Sequence, residues 1–566
     1  MTFGRPHDKS GEASQSYAEY TARLGDMLVK SGAITERQLQ ESLQAQKKED
    51  KKLGQIMIAK GLITPRQLTE MLAKMYQLPV VDLADVEIQE SLLGIFPYEL
   101  LKNHVVLPIA LEDKFLTIAI NDPSDVAVLQ ELQYISGYQM KPVMAEEEQI
   151  KHFLAERYDA FHTMQVLSDV QSGETQDGSI IRLVEAMLIR AINEKASDIH
   201  IELQREKMRV RHRIDGVLHE KLSVPREIHR KVISRVKVMA GMDLAETRHP
   251  QDGRFSFSVS EQEYDIRVSS LPDIYGENMV LRILNKQYIH HAVETLGLDE
   301  GDIAVMNRLM RRPYGMILAT GPTGAGKTTT LYSMLNTLNR PSKSIITIED
   351  PVEYELAGIT QTNINPQAGY TFAKAIRHIL RHDPNIIMVG EIRDPETAEI
   401  AIRAALTGHL VLSTLHTNSA PGAVTRLLDM GIQPFLISSA LIGVIAQRLV
   451  RRLCPHCRQT YTPGAEESEE LRPLARLGQP IMLAKEVGCE RCFKTGFVGR
   501  EGIFEVLMVD QQIRKLIVQK GNEPEIKQSA IAGGMKTLKT AGMKKAINQI
   551  TTIQEVLGAT LTEEDN

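Results

Sequence analysis

Three groups of residues in this 566-residue chain have types and spacings that can do chemistry. The first is GPTGAGKTT: Gly321, Pro322, Thr323, Gly324, Ala325, Gly326, Lys327, Thr328 and Thr329. It fits G-x-x-x-x-G-K-[ST]. In that pattern glycines let backbone N–H groups turn onto a β-phosphate, the lysine reaches the β and γ oxygens, and the threonine hydroxyl ligates Mg²⁺. The second group is acidic. IITIEDPVEY carries Glu349, Asp350 and Glu353, and IIMVGEIRD carries Glu391. Carboxylates near a bound phosphate chain hold the Mg²⁺ shell or orient the attacking water. Glu391 can do either and Glu349 can share the task, and the sequence does not divide the roles. His409 and His416 bracket LVLSTL, and at least one is expected to sense the γ-phosphate. The third group is Cys454-Pro-His-Cys457 with Cys489-Glu-Arg-Cys492, which are all four cysteines of the chain. Two C-x-x-C knuckles can close a tetrahedral Cys₄ site of the structural Zn²⁺ kind.

These residues need elements to hold them. GMILAT precedes the loop as a strand and TTTLYSMLNTL follows it as a helix, which is the context a phosphate loop requires. SIITIED, IIMVGE and LVLSTLH alternate with helical stretches, so a parallel sheet with crossover helices is expected. The carboxyl ends of such strands line the ligand crevice. Upstream, IHIEL, MRVRHRI, RFSFSV and YDIRVSSL alternate polar and apolar residues, as strands of a mixed α/β domain do. The fold class is therefore α/β and multidomain. The expected organisation is a polar tail at 1–20 and an N-terminal domain at 21–160. A Ser/Gly/Gln/Asp-rich linker at 161–179 leads to a second domain at 180–290. The nucleotide-binding domain at 291–503 carries the cysteine element at 451–500, and 504–566 is helical.

Composition restricts the function classes. The net charge of −6, from 66 basic and 72 acidic residues, gives no global basic field for nucleic acid. MTFGRPHDKSGEASQ has no apolar signal core, and FLISSALIGVIA at 435–446 is too short to span a bilayer. A cytoplasmic location is expected, and reduced cysteines there fit a metal site better than disulfides.

The chain also repeats itself. RLGDMLVKSGAITERQLQESLQAQ at 23–46 returns at an offset of 29 residues as KLGQIMIAKGLITPRQLTEMLAKM at 52–75, with KKEDK between. Each copy reads as a helix stopped by Gly32 or Gly61 and restarted with Thr35 or Thr64 as N-cap.

GPTGAGKTTTLY, ITIEDPVEY, VGEIRDPETAEIAIRAALTGHLVLSTLHTN and QRLVRRLCPHC together resemble the secretion ATPase superfamily. The specific likeness is to assembly ATPases of type IV pili and type II secretion systems. The resemblance implies a RecA-like ATP-hydrolysing core, ATP with Mg²⁺, and a homohexamer in which ATP lies between the ATPase domain and the preceding domain. It also implies a peripheral position on an inner-membrane platform protein. Arg267 and Arg282 match γ-phosphate arginines of that family, and Arg377 and Arg381 match further basic positions. The N-terminal extension and the cysteines resemble the extension and secretion members rather than the shorter retraction ATPases. A type II secretion motor stays open beside a pilus motor, and a DNA-uptake or translocation ATPase is a more distant alternative.

The repeat carries a second resemblance, to the cyclic di-GMP-binding N-terminal domain of MSHA-type pilus ATPases. It implies contacts from Arg23, Leu24, Gly25, Leu39, Leu43 and Gln46, then from Lys52, Leu53, Gly54, Leu68 and Leu72, with Asp122 at a guanine edge. Met75 stands where the first copy has Gln46, so the two halves are not equivalent.

Overall fold

The computed structural model describes residues 24–46, 52–83, 98–154, 177–259, 262–285, 292–365, 367–474 and 481–560, with isolated positions between 84 and 97. Contacts divide the described residues into two compact units, one gathering those up to Lys195 with 203–208 and 223–239 and the other the rest. Of the described residues in 180–290, 180–195, 203–208 and 223–239 fall in the first unit and the others in the second.

The repeats form two helical hairpins. A helix over 24–30 is followed by α1 (Glu36–Gln46), and α2 (Leu53–Ala59) by α3 (Pro65–Tyr76). Gly32 at φ +75° and Gly61 at φ +68° turn the chain in the left-handed region that glycine enters without a Cβ penalty. Each restart is a reciprocal capping box. Gln38 Oε1 accepts from Thr35 N at 2.8 Å and Gln67 Oε1 from Thr64 N at 2.8 Å. Gly25 and Gly54 are buried under matching leucines. A Cβ at Gly25 would lie 2.8 Å from Leu39 Cδ1, and one at Gly54 would lie 2.7 Å from Leu68 Cδ2. The hairpins share a core with β1 (Val106–Glu112), β2 (Phe115–Ile120) and β3 (Gln139–Met144), ordered β1-β2-β3.

Next comes a six-stranded sheet ordered β6-β5-β4-β9-β8-β7. Its strands are β4 (Asp198–Leu203), β5 (Lys207–Ile214), β6 (Val217–Pro225), β7 (Gln251–Val259), β8 (Gln262–Pro272) and β9 (Glu277–Asn285). Alternate residues of β5 are buried, so the period-2 pattern sends its arginines to the opposite face.

The loop sits on a seven-stranded sheet, order β12-β11-β13-β14-β10-β15-β18. The members are β10 (Gly315–Thr320), β11 (Ile345–Glu349), β12 (Thr360–Asn363), β13 (Ile386–Val389), β14 (Leu410–Leu415), β15 (Leu441–Leu453) and β18 (Phe497–Met508). Strands β16 (Gln459–Tyr461) and β17 (Leu483–Lys485) form a separate pair. Within the seven-stranded sheet all neighbours are parallel except β15 with β18. The boundary expected at 503/504 falls inside β18. The cysteine element is an excursion between two paired strands, and the chain becomes helical from Gln511. Among the described residues no helix is long and apolar enough to cross a membrane. The apolar run at 435–446 is split between a helix, Pro434–Ala440, and the start of β15.

Candidate functional site

Strand β10 is buried throughout and delivers the chain into the loop at Gly321. Gly324 at φ +79° and Gly326 at φ +87° make the turn, and helix α4 (Lys327–Leu338) follows with Gly326 as N-cap. Lys327 Nζ donates to Gly321 O at 2.7 Å and to Pro322 O at 3.0 Å. Burial lowers its pKa, Glu391 opposes that, and Arg448 adds to it. Pro322, Thr323, Gly324 and Thr328 are exposed, Thr329 is half-buried and Ala325 is buried.

Glu391 lies just beyond the carboxyl end of β13. Gly390 before it sits so close to β11 that a Cβ would meet Ile348 O at 3.3 Å and Glu349 Cα at 3.4 Å. That explains glycine where an acid commonly ends such a strand. Glu391 faces Arg393 Nη2 at 2.5 Å and His416 Nε2 at 3.4 Å, and Arg393 Nη1 lies 3.8 Å from Asp350. Arg393 was not among the residues singled out, although IRDP directly follows Glu391.

Glu349 departs from expectation. Its side chain accepts from Thr347 Oγ1 at 2.6 Å and Gln361 Nε2 at 3.1 Å on one oxygen, and from Tyr332 OH at 2.5 Å on the other. The residue is 3% exposed and burial pushes its carboxyl up. It is turned into the domain, so it does not share the crevice with Glu391 in this arrangement. The two histidines also separate. His416 is at the carboxyl end of β14, beside Glu391. His409 is at the amino end, where Nδ1 contacts Ala404 O at 2.9 Å and Thr407 Oγ1 at 3.3 Å. Six strand residues at about 3.3 Å each put it roughly 20 Å from that crevice.

The arginines fall in two places. Arg267 and Arg282 face each other across β8 and β9, and Arg254 of β7 is opposite Arg267. The three line a cavity of about 590 Å³ with Asp252 and Ser269. Arg267 donates to Val352 O at 3.2 Å and lies 3.4 Å from Glu353, while Arg282 lies 3.2 Å from Asp198. Arg377 is instead paired with Glu396 at 2.7 Å, and Arg381 with His378 at 2.7 Å. Neither makes a bond to the loop among the described residues.

The four cysteine sulfurs lie within 4.8 Å of one another. Cys454–Cys489, Cys457–Cys492 and Cys489–Cys492 separations are 3.9, 3.8 and 3.7 Å. A tetrahedron with about 2.3 Å metal–sulfur bonds has edges of about 3.8 Å, so the set fits Zn²⁺. Gly488 N and Gly496 N donate to Cys457 Sγ and Cys492 Sγ at 3.3 and 3.2 Å. Burial and neighbouring thiols push Cys489 up to about 12, so four thiolates here need a compensating cation.

In the N-terminal unit Lys52 and Asp122 form an ion pair. Burial raises the Asp122 pKa, but hydrogen bonds from Lys52 and Ser124 bring it below the ordinary carboxylate range. Leu24 and Leu53 are 0% exposed, so neither presents surface to a ligand in this arrangement. Leu39 and Leu72 are buried, while Leu43, Leu68 and Gln46 are half-buried. Arg23 lies outside the described residues.

Residues 173–558 match the family described as Type II/IV secretion system protein. The chain belongs to that family. Residues 76–164 match the MshEN domain, which follows the repeats. Type IV pilus assembly ATPase PilB of Myxococcus xanthus is 40% identical over 95% of this chain and 99% of its own length. Type II secretion system protein E of Pseudomonas aeruginosa is 44% identical over 82% and 96%. The crystal structure of the Legionella pneumophila ATPase DotB aligns with a TM-score of 0.50 at 21% identity, covering 66% of this chain and 94% of that one, a likeness of fold. This secretion ATPase thus has a RecA-like P-loop core behind an MshEN domain.

Proposed function

We propose that this secretion ATPase hydrolyses ATP at residues 321–329 and drives type IV pilus extension as a homohexamer docked on an inner-membrane platform protein. The observation that carries the reading is the convergence of Lys327, Glu391, Arg393 and His416 at the carboxyl ends of adjacent parallel strands. Mg²⁺ beside Thr328 would neutralise phosphate charge when bound. Lys327, lifted from the carbonyls of Gly321 and Pro322, binds the phosphate chain. Glu391 orients the attacking water, with Arg393 and His416 fixing its carboxylate. Arg267 and Arg282, with Arg254 in register, serve the nucleotide of a neighbouring protomer, and Arg377, on the exposed face of the helix Phe372–Ile379, acts with Arg381 just beyond that helix. An arginine delivered across a boundary makes turnover depend on closure. The cytoplasmic, membrane-peripheral location follows from this reading, and nucleic acid has no part in it.

Two ligands complete it. Zn²⁺ closes the Cys454/Cys457/Cys489/Cys492 site. Cyclic di-GMP binds the N-terminal repeats and regulates the motor. Its support is the duplicated Gly–Leu packing, the Lys52–Asp122 pair and the MshEN match. Gly25 and Gly54 backbones with Arg23 and Lys52 take the phosphates, and Leu43, Leu68 and Gln46 are the accessible contacts beside buried Leu24, Leu39, Leu53 and Leu72.

Phosphate release by the purified full chain tests the motor. Lys327→Ala should abolish it, and retained turnover would overturn the assignment. Calorimetric titration of cyclic di-GMP should show one ligand per chain, weakened in Lys52→Ala, whereas no binding to the folded chain leaves the repeats as a docking module. The second reading, a type II secretion motor, is supported by the Pseudomonas relative. A gene deletion that removes pili but spares secretion decides for the first.

A further inference from the structure

Strand β15 does more than flank β10. The β10–β15 register ends at Thr320 with Ala446, but β15 runs on to Leu453, so its next residues lie against the phosphate loop. A Cβ on Gly321 would meet Gln447 O at 2.5 Å and Arg448 Nη1 at 3.2 Å, and one on Gly326 would meet Gln447 Nε2 at 2.7 Å. Gln447 Oε1 accepts from Thr330 Oγ1 of α4 at 2.6 Å, which fixes the strand against the helix that opens with Lys327.

Arg448 is thereby held over the first glycine of the loop. Its Nη1 donates to Gln447 O at 3.1 Å, and its Nη2 to Asn418 O and Oδ1 at 3.2 and 3.1 Å. All three acceptors are neutral. Among the described residues, Nε makes no hydrogen bond and no carboxylate lies within ion-pair distance. Burial lowers the Arg448 pKa, and Glu505 opposes that only through space. Arg448 in turn is one of the charges that lower Lys327. Two half-buried cations therefore face one loop, a costly arrangement that an anionic ligand relieves.

We infer that Arg448 is a nucleotide-binding arginine of its own chain, contacting the phosphates common to ADP and ATP. Strand order supplies the choice of phosphate. Glu391 and His416 approach from β13 and β14, on one side of β10, and Arg448 approaches from β15, on the other. The γ-phosphate lies toward the carboxylate that orients water, so the β15 side takes the inner phosphates. The inference rests on the reading of 321–329 as the ATP site.

The test is titration of the full chain with fluorescent N-methylanthraniloyl-ADP and a non-hydrolysable ATP analogue. Wild type, Lys327→Ala, Arg448→Gln and Arg448→Lys are compared, with melting temperature as the check on folding. Arg448→Gln should weaken both ligands about tenfold or more, as loss of a charge-assisted phosphate contact does, and Arg448→Lys should recover part of it. Unchanged Kd for ADP in a folded Arg448→Gln protein overturns the inference, as does weakening confined to the ATP analogue. If Arg448→Gln does not fold, Arg448→Lys decides. Its point charge lacks the planar fork, so a Kd for ADP equal to wild type overturns the inference and a weaker one supports it. Wild type that binds neither ligand would instead sink the ATP-site reading. Loss of binding in Lys327→Ala alone would sink only the role of Arg448.

Discussion

Glu349 and Glu391 end neighbouring strands, yet their carboxylates live in opposite surroundings. Three donors reach Glu349 inside the domain, including Tyr332 of the phosphate-loop helix, while Glu391 meets Arg393 and His416 at the crevice. Strand ends could be read from the sequence because apolar runs followed by acids are local patterns. The direction each side chain takes was not legible, since Tyr332 and Gln361 are brought to Glu349 only by the fold. The opposite ends that His409 and His416 occupy on β14 are a related case. A six-residue strand can be read from its pattern, but which end faces the nucleotide depends on the polarity of the whole sheet. Tyr332→Phe leaves a buried acceptor short of one donor and should cost about 1–3 kcal/mol, read from denaturant midpoints. An unchanged midpoint would mean that Gln361 or water takes the place of the hydroxyl.

At the scale of elements, the repeats were legible because their capping boxes and glycine stops lie within a few residues of each other. Gly25 and Gly54 show what such spacing does not reveal, namely that each lies beneath a leucine of the next helix. Gly54→Ala should destabilise the N-terminal unit by about 1–3 kcal/mol through overpacking. No loss on thermal unfolding would mean that Leu68 swings aside. Strand β12 is a short polar edge strand without a period to detect, and β15 begins directly after a helix within one apolar run, so periodicity alone could not separate them. Strand β18 carries Glu505, which accepts from Ala420 N at 2.8 Å and Leu538 N at 3.3 Å. These are the first residues of helices Ala420–Asp429 and Leu538–Ile547. Burial pushes its carboxyl up, so the folded chain keeps the proton to higher pH than the unfolded one. The stability from that proton is full below an unfolded value of about 4.3 and is lost as pH rises through the folded value. Glu505→Gln should flatten this decline, and an unaltered slope of stability against pH would refute the assignment.

For the molecule as a whole, the sequence motifs led to the family because four ordered blocks sit on one sheet. How the six-stranded sheet groups with the motor sheet was not readable, since that depends on contacts distant in sequence, such as Arg267 with Val352 and Asp215 with Gly499 N at 2.8 Å. Elemental analysis should find one zinc per chain. Cys489→Ser should lower that content and the melting temperature together, and a metal-free wild type of full stability would exclude the structural role. The ribbon of β15 and β18 reaches this site directly. Cys454 N donates to Gly496 O at 2.9 Å beyond the last strand rung, and Arg451 lies over the Phe497 ring at 4.0 Å. A metal tie at the far end of two strands shortens the open loop that the unfolded chain must close, and closure entropy grows with loop length. A metal held by the four cysteines would pre-pair two strands that are distant in sequence, so added zinc should speed the refolding step that sets Gln447 and Arg448 beside the phosphate loop.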